Sequence, residues 1–110
     1  MMKNDYFTYR VTWSVEDNEY VGLCSEFPGL SWLASNQNAA LTGIRQVVSD
    51  VVEDMRTNGE DIPEPLATKN YSGRFIVRIP PELHKELVFE AQEAGISLNR
   101  LASDKLGRIH

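Results

Sequence analysis

Arg74, Ile76 and Arg78 alternate with Phe75, Val77 and Ile79. An extended backbone sends the two guanidinium groups and one branched apolar side chain to one face, and three large apolar side chains to the other. These residue types can read the major groove of B-form DNA. A guanidinium fork bonds the O6 and N7 acceptors of guanine together, and an aliphatic side chain meets a thymine methyl. Arginine on a strand is more often simple solvation, so the specificity comes from the residues after it. Pro80-Pro81 stops the strand and presets a first helical turn. Leu83, Leu87, Val88, Ala91 and Ala94 then recur at helical steps, and Gly95 supplies a helix stop. Ser97 caps a second helix whose apolar stripe is Leu98, Leu101, Ala102 and Leu106. The backbone amides of Ser97, Leu98 and Asn99 open that helix and suit a phosphate, with the helix dipole adding to the attraction. Such a contact fixes register on DNA and carries no base information.

One strand cannot satisfy its own edges, and two short helices cannot enclose a core. The economical arrangement is a homodimer in which two copies of the strand pair antiparallel under a shared apolar core. The face left outward is a two-stranded ribbon bearing Arg74, Ile76 and Arg78 from each chain, the positions assigned to base contact, with Ser97, Leu98 and Asn99 assigned to phosphate.

Residues 1–62 have a different organisation. Tyr9, Val11, Trp13 and Val15 alternate with Thr8, Arg10, Thr12 and Ser14, the period of a strand with one buried face. A polar turn at residues 16–19, a second strand-like run at 20–24, a break at Phe27-Pro28-Gly29 and a third run at 30–34 predict a three-stranded antiparallel meander. The period then changes. Leu41, Ile44, Val48, Val51 and Met55, widened by Ala40, Val47 and Val52, form a helical stripe that would cover the sheet. Ser35 or Asn36 can cap that helix and Asn58-Gly59 can end it, which predicts a helix over 37–57. Residues 63–72, with Pro63 and Pro65 and little periodicity, read as a linker before a second domain at 73–110.

Charge divides the chain in the same way. Residues 1–67 hold four Lys and Arg against eleven Asp and Glu, net −7, and residues 68–110 hold seven against five, net +2, giving the overall −5. A basic segment suits phosphates, and an acidic one suits a cationic partner or serves solubility. With 42% hydrophobic and 25% charged residues among 110, the chain should fold. It has no apolar run of membrane-spanning length and no secretory leader at its start, which predicts a cytoplasmic protein that does not engage membranes. Cys24 is the single cysteine, and with His84 and His110 it makes too few ligands for zinc. No metal or other cofactor is expected.

The segment GRFIVRIPPELHKELVFEAQEAGISLNRLASDKL (73–106), the motif IPEP (62–65) and the stretch CSEFPGLS (24–31) together resemble antitoxins of the HicB family. The resemblance implies an α+β protein. Its N-terminal three-stranded sheet and long helix would form a degenerate RNase H-like domain of HicB type, followed by a C-terminal ribbon-helix-helix domain. It further implies two partners: operator DNA, through which the protein represses its own operon, and a small RNA-cleaving toxin of HicA type that it silences by direct binding. A homodimer, or a tetramer made of two such dimers, is the implied assembly. Asn38, Ala39 and Ala40 stand in the first turn of the long helix, where family members often carry an acidic residue, so the partner-facing surface can differ. The acidic charge of the N-terminal domain fits a toxin that must present a cationic surface to RNA. Glu16, Asp17, Glu19 and Glu26, near strand ends, are the candidate toxin contacts.

Two other classes of function compete with this reading. A nuclease of RNase H-like fold would need paired carboxylates around metal ions. Asp50, Glu53 and Asp54 instead fall on a helix surface without a nearby His, so no catalytic residue is assigned and the chain is read as a non-enzyme. The alternative is a stand-alone regulator whose N-terminal domain senses a ligand. Trp13, Trp32 and Tyr20 could line its pocket, and serve equally well as ordinary core.

Overall fold

The computed structural model describes residues 3–108, so His110 lies outside the described residues. The chain is α+β, with a three-stranded antiparallel sheet and three helices, and its contacts divide it into two units, residues 1–71 and 72–110. No helix among the described residues is long and apolar enough to cross a membrane.

In the first unit a short 3-10 turn, Lys3–Tyr6, leads into β1 (Tyr9–Ser14), β2 (Glu19–Cys24), β3 (Ser31–Ala34) and α1 (Gln37–Thr57). The sheet order is β1-β2-β3, with Val11 opposite Gly22 and Gly22 opposite Trp32. At Gly22 the helix packs tightly on the sheet. A Cβ there would stand 2.4 Å from the Ala40 carbonyl oxygen and 2.8 Å from Ile44, so only glycine lets α1 lie this near β2. Gly43 plays the reciprocal part on the helix, since a Cβ there would overlap the Trp32 ring.

α1 starts and stops as the capping residues predict. The Asn36 side chain accepts a hydrogen bond from the Ala39 amide at 2.8 Å, and Gly59 takes a φ of +71° beyond the last turn. Its buried residues are Ala40, Ile44, Val48 and Val52, four apart on one stripe. Ile44, Val48 and Val52 pack with Cys24, Phe7 and Phe27 into the core, flanked by Tyr9, Leu30, Val51, Met55 and Ile62. Phe7 and Phe27 meet edge to face at 5.4 Å.

The buried face of β1 differs from the expected one at its far end. Trp13 is 46% and Val15 83% exposed. The strand stops at Ser14, so Val15 belongs to the turn, and the core draws instead on Phe7 ahead of the strand and Phe27 in the β2–β3 connection. Within the stretch 63–72 expected as a linker, Pro65 and Leu66 are held against the rest of the first unit. Pro65 is fully buried, the Leu66 amide donates to Glu26 Oε2 at 2.8 Å, and the Tyr71 hydroxyl donates to the Leu66 carbonyl at 2.9 Å. Prolines at 63 and 65 already restrict this segment in the unfolded chain, which lowers the entropy cost of strapping it down.

The second unit contains α2 (Pro81–Ala94) and α3 (Leu98–Gly107), which pack on each other. Gly95, with a φ of +69°, ends α2, and the Ile96 amide reaches back to the Ala91 carbonyl. Only Ala91 and Leu101 are buried among its described residues. Residues 74–79, expected as a strand, form no ladder with any of the described residues. A strand acquires its hydrogen bonds from a neighbour, and among the described residues none lies beside this segment.

Candidate nucleic-acid interface

Gly73, with a φ of +83°, and a local turn at Ser72, whose hydroxyl accepts from the Arg74 amide at 3.1 Å, set the start of the candidate segment. Arg74, Ile76 and Arg78 are all exposed, Ile76 by 92%. The opposite side is exposed too: Phe75 by 73%, Val77 by 60% and Ile79 by 36%. Three large apolar side chains in water are each unfavourable by roughly 1.5–3 kcal/mol relative to burial, and here they are consecutive members of one face. Nearby, the α2–α3 junction forms an open groove of about 390 Å³ lined by Val88, Ala91, Gln92, Gly95, Ile96 and Leu98. The second unit therefore offers apolar surface from both its extended segment and its helices.

The second candidate, the start of α3, has the geometry of an anion site. Ser97 is extended, at φ −72° and ψ 155°, and its hydroxyl accepts from the Arg100 amide at 3.0 Å. The amides of Leu98 and Asn99 precede that capped one and face the open end of the helix. The first turn carries no acidic residue, so nothing opposes an incoming phosphate there.

The four acidic candidates of the first unit do not come together. Glu16, Asp17 and Glu19 lie at the β1–β2 turn, where Asp17 Oδ2 accepts from the Ser14 hydroxyl at 2.8 Å and Asn18 takes a φ of +54°. Glu26 lies beyond the other end of β2, about six residues or roughly 20 Å along the strand. Its carboxylate is engaged internally, accepting from the Thr8 amide at 2.9 Å, the Thr8 hydroxyl at 3.2 Å and the Leu66 amide. Burial pushes this carboxyl up, but the hydrogen bonds from the Leu66 and Thr8 amides outweigh it and hold the group below the usual carboxylate range. The neighbouring Cys24 thiol, which donates toward Glu26 at 3.5 Å, is pushed up by burial.

The carboxylates of α1 are on its solvent side. Asp50 accepts from Gln46 and Glu53 pairs with Arg56, both at 2.8 Å. No grouping of three or more potential metal ligands occurs among the described residues. Trp13 packs edge-on against Tyr20 at 4.9 Å, whereas Trp32 lies on Gly43. Glu26 as a latch for residues 63–71 has no local signature in the sequence, because its partner is 40 positions away. Phe89 does have one: it is an apolar residue standing off the stripe of α2, and it is 58% exposed.

No curated protein and no solved structure matches the chain. Of the stretches that resemble HicB antitoxins, residues 24–31 lie outside the region that a family model matches. That region is residues 57–106, just under half of the chain; it matches the model of the HicB family and supports HicB family membership.

Proposed function

We propose that the protein is the antitoxin of a HicA/HicB-type toxin–antitoxin pair, binding its own operator as a homodimer and silencing an RNA-cleaving toxin by direct contact. The observation that carries the DNA-binding half is the exposed alternation at residues 74–79 in a unit with two buried residues among those described. A unit of about 40 residues cannot stabilise itself on so small a core. A second copy completes it: the two extended segments pair as a β-ribbon and Phe75, Val77 and Ile79 turn inward with the α2–α3 groove. Arg74, Ile76 and Arg78 are left facing out for the major groove, and the α3 amides for phosphate. The family match supports the toxin–antitoxin setting. The toxin contact falls to the acidic first unit, with Glu16, Asp17 and Glu19 free to meet a cationic surface and Glu26 occupied by its own fold. On this reading the protein is a cytoplasmic non-enzyme without a cofactor.

The test is sequence-specific binding to the DNA upstream of its own coding sequence, at two salt concentrations, with and without the product of a short adjacent gene. Specific, salt-sensitive binding that the neighbour's product modulates is expected. Replacing Arg74 or Arg78 by Ala should weaken operator binding by about 1–3 kcal/mol and relax sequence preference. Absence of specific binding by a folded dimer would sink the proposal.

A further inference from the structure

The chain holds seven asparagines, and only Asn58 is followed by glycine. The difference is chemical. An asparagine side chain can be attacked at its carbonyl carbon, Cγ, by the backbone nitrogen of the next residue, and a Cβ on that residue crowds the approach. The residues after the other asparagines all carry one; Gly59 does not. Asn58 and Gly59 are both exposed, and nothing stands within 4 Å of the place a Gly59 Cβ would occupy. Water can reach the pair from the open side.

The pair ends α1 and is held there by backbone hydrogen bonds. The Asn58 amide donates to the Asp54 carbonyl at 3.0 Å, the Gly59 amide to the Arg56 carbonyl at 3.2 Å, and the Glu60 amide to the Met55 carbonyl at 2.9 Å. With Gly59 at a φ of +71°, the last two are the paired bonds that close a helix on a left-handed residue. Asn58 itself has φ −86° and ψ 0°. At that ψ the peptide plane turns the Gly59 nitrogen away from the Asn58 side chain, so a five-membered ring cannot close until ψ swings toward an extended value. The swing gives up the two closing bonds at a helix end, where opening is far easier than in the core. Val52, the last buried residue of α1, lies more than a turn earlier.

We propose that Asn58 is a site of spontaneous covalent modification, deamidation through a cyclic imide. The Gly59 nitrogen bonds to Asn58 Cγ, the bond from Cγ to the side-chain nitrogen breaks, and the proton lost by Gly59 leaves with that nitrogen as ammonia. Water then splits one of the two carbonyl–nitrogen bonds of the imide. Opening at Cγ gives aspartate. Opening at the Asn58 backbone carbonyl gives isoaspartate, whose main chain runs through the side-chain carbon and is one atom longer. Either product sets a new carboxylate beside Glu60 and Asp61 at the negative end of α1, where the helix dipole opposes it. The longer main chain also carries Gly59 and Glu60 out of register with the Arg56 and Met55 carbonyls. Ile62, which packs against the core, and the buried Pro65 follow directly. The modification therefore loosens the place where α1 hands over to the segment tied to Glu26. It needs only water and time, and it quickens as the pH rises because the attacking nitrogen must give up its proton.

The full chain, aged while folded in neutral and in mildly alkaline buffer and then digested with trypsin, tests this by mass spectrometry. The exchange of an amide for a carboxylate should appear first in the peptide 57–69 and faster at the higher pH. Because only the end of α1 has to open, the folded chain should react within about ten-fold of the rate in denaturant. Protection of about a thousand-fold or more would mean that global unfolding is required, and it overturns the inference, as does earlier conversion at any other asparagine. The Asn58→Gln variant, whose longer side chain would have to close a less favoured six-membered ring, should leave the peptide unchanged; conversion there reassigns the reaction and overturns it too. Hydrogen exchange at the Glu60 amide should be faster in aged than in fresh protein and indifferent to ageing in Asn58→Gln. Equal protection in converted and unconverted chains overturns the loosening of the α1 end.

Discussion

The two units of this chain solve the same physical problem with different resources. Among its described residues the first gathers a core cluster of six buried side chains, and ties Leu66 of its trailing segment to Glu26. Among its described residues the second has two buried ones, a groove and an exposed apolar face. One unit can end at its own surface, whereas the other leaves an apolar face uncovered among the described residues. In the dimer proposed above, such incompleteness would couple the folding of a short segment to assembly, its core existing only when the dimer did.

The largest effect should come from the apolar face of the second unit. Phe75→Asp sets a charge where the proposed dimer buries an aromatic ring, and self-association should weaken by on the order of 3–5 kcal/mol, a hundredfold or more in dissociation constant. Sedimentation equilibrium would read this, and unchanged association would remove residues 74–79 from any dimer interface. Next comes the core of the first unit. Ile44→Ala should cost about 2–5 kcal/mol, visible in denaturant unfolding followed by tryptophan fluorescence, because Trp13 and Trp32 both belong to that unit. Dimer affinity should be unaffected; a matching loss of association would mean that the two units are not energetically separate.

The smallest effect concerns Glu26. Replacing it by Gln keeps an acceptor but loses the charge, a difference of about 1 kcal/mol in hydrogen-bond strength. The folded-state pKa of Glu26 lies below its unfolded value. Its contribution is therefore fully present above the unfolded pKa and is lost as the pH falls through the folded one. The stability difference from Glu26→Gln should be steady near neutrality and vanish in acid. Hydrogen exchange at the Leu66 amide should quicken in the variant, and no change there would detach Glu26 from the strap.

Much of the first unit was legible because its signals are local. Asn36 and Asn58-Gly59 bracket α1, and the alternation from Tyr9 onward marks β1. What was not legible depends on partners distant in sequence. Gly22 is required by Ala40 and Ile44, and the Glu26–Leu66 hydrogen bond turns a proline-rich stretch that reads as a free linker into a strap. The exposure of Trp13 follows from where the core draws its aromatics, which no strand pattern encodes. In the second unit the helices and their glycine and serine signals were legible from end to end. The strand pattern at 74–79 was equally clear, yet it has no ladder within the chain, because alternation records a face to be covered and not what covers it.

The strap also fixes a length. With Pro65 and Leu66 held down, the leash joining the first unit to Arg74 is residues 67–73, a reach of roughly 23–25 Å even fully extended. If the Glu26 hydrogen bonds let go and the strap peels off from Pro63 onward, eleven residues become free and the reach grows to roughly 36–40 Å. One carboxylate thus sets the length of the leash between the two units.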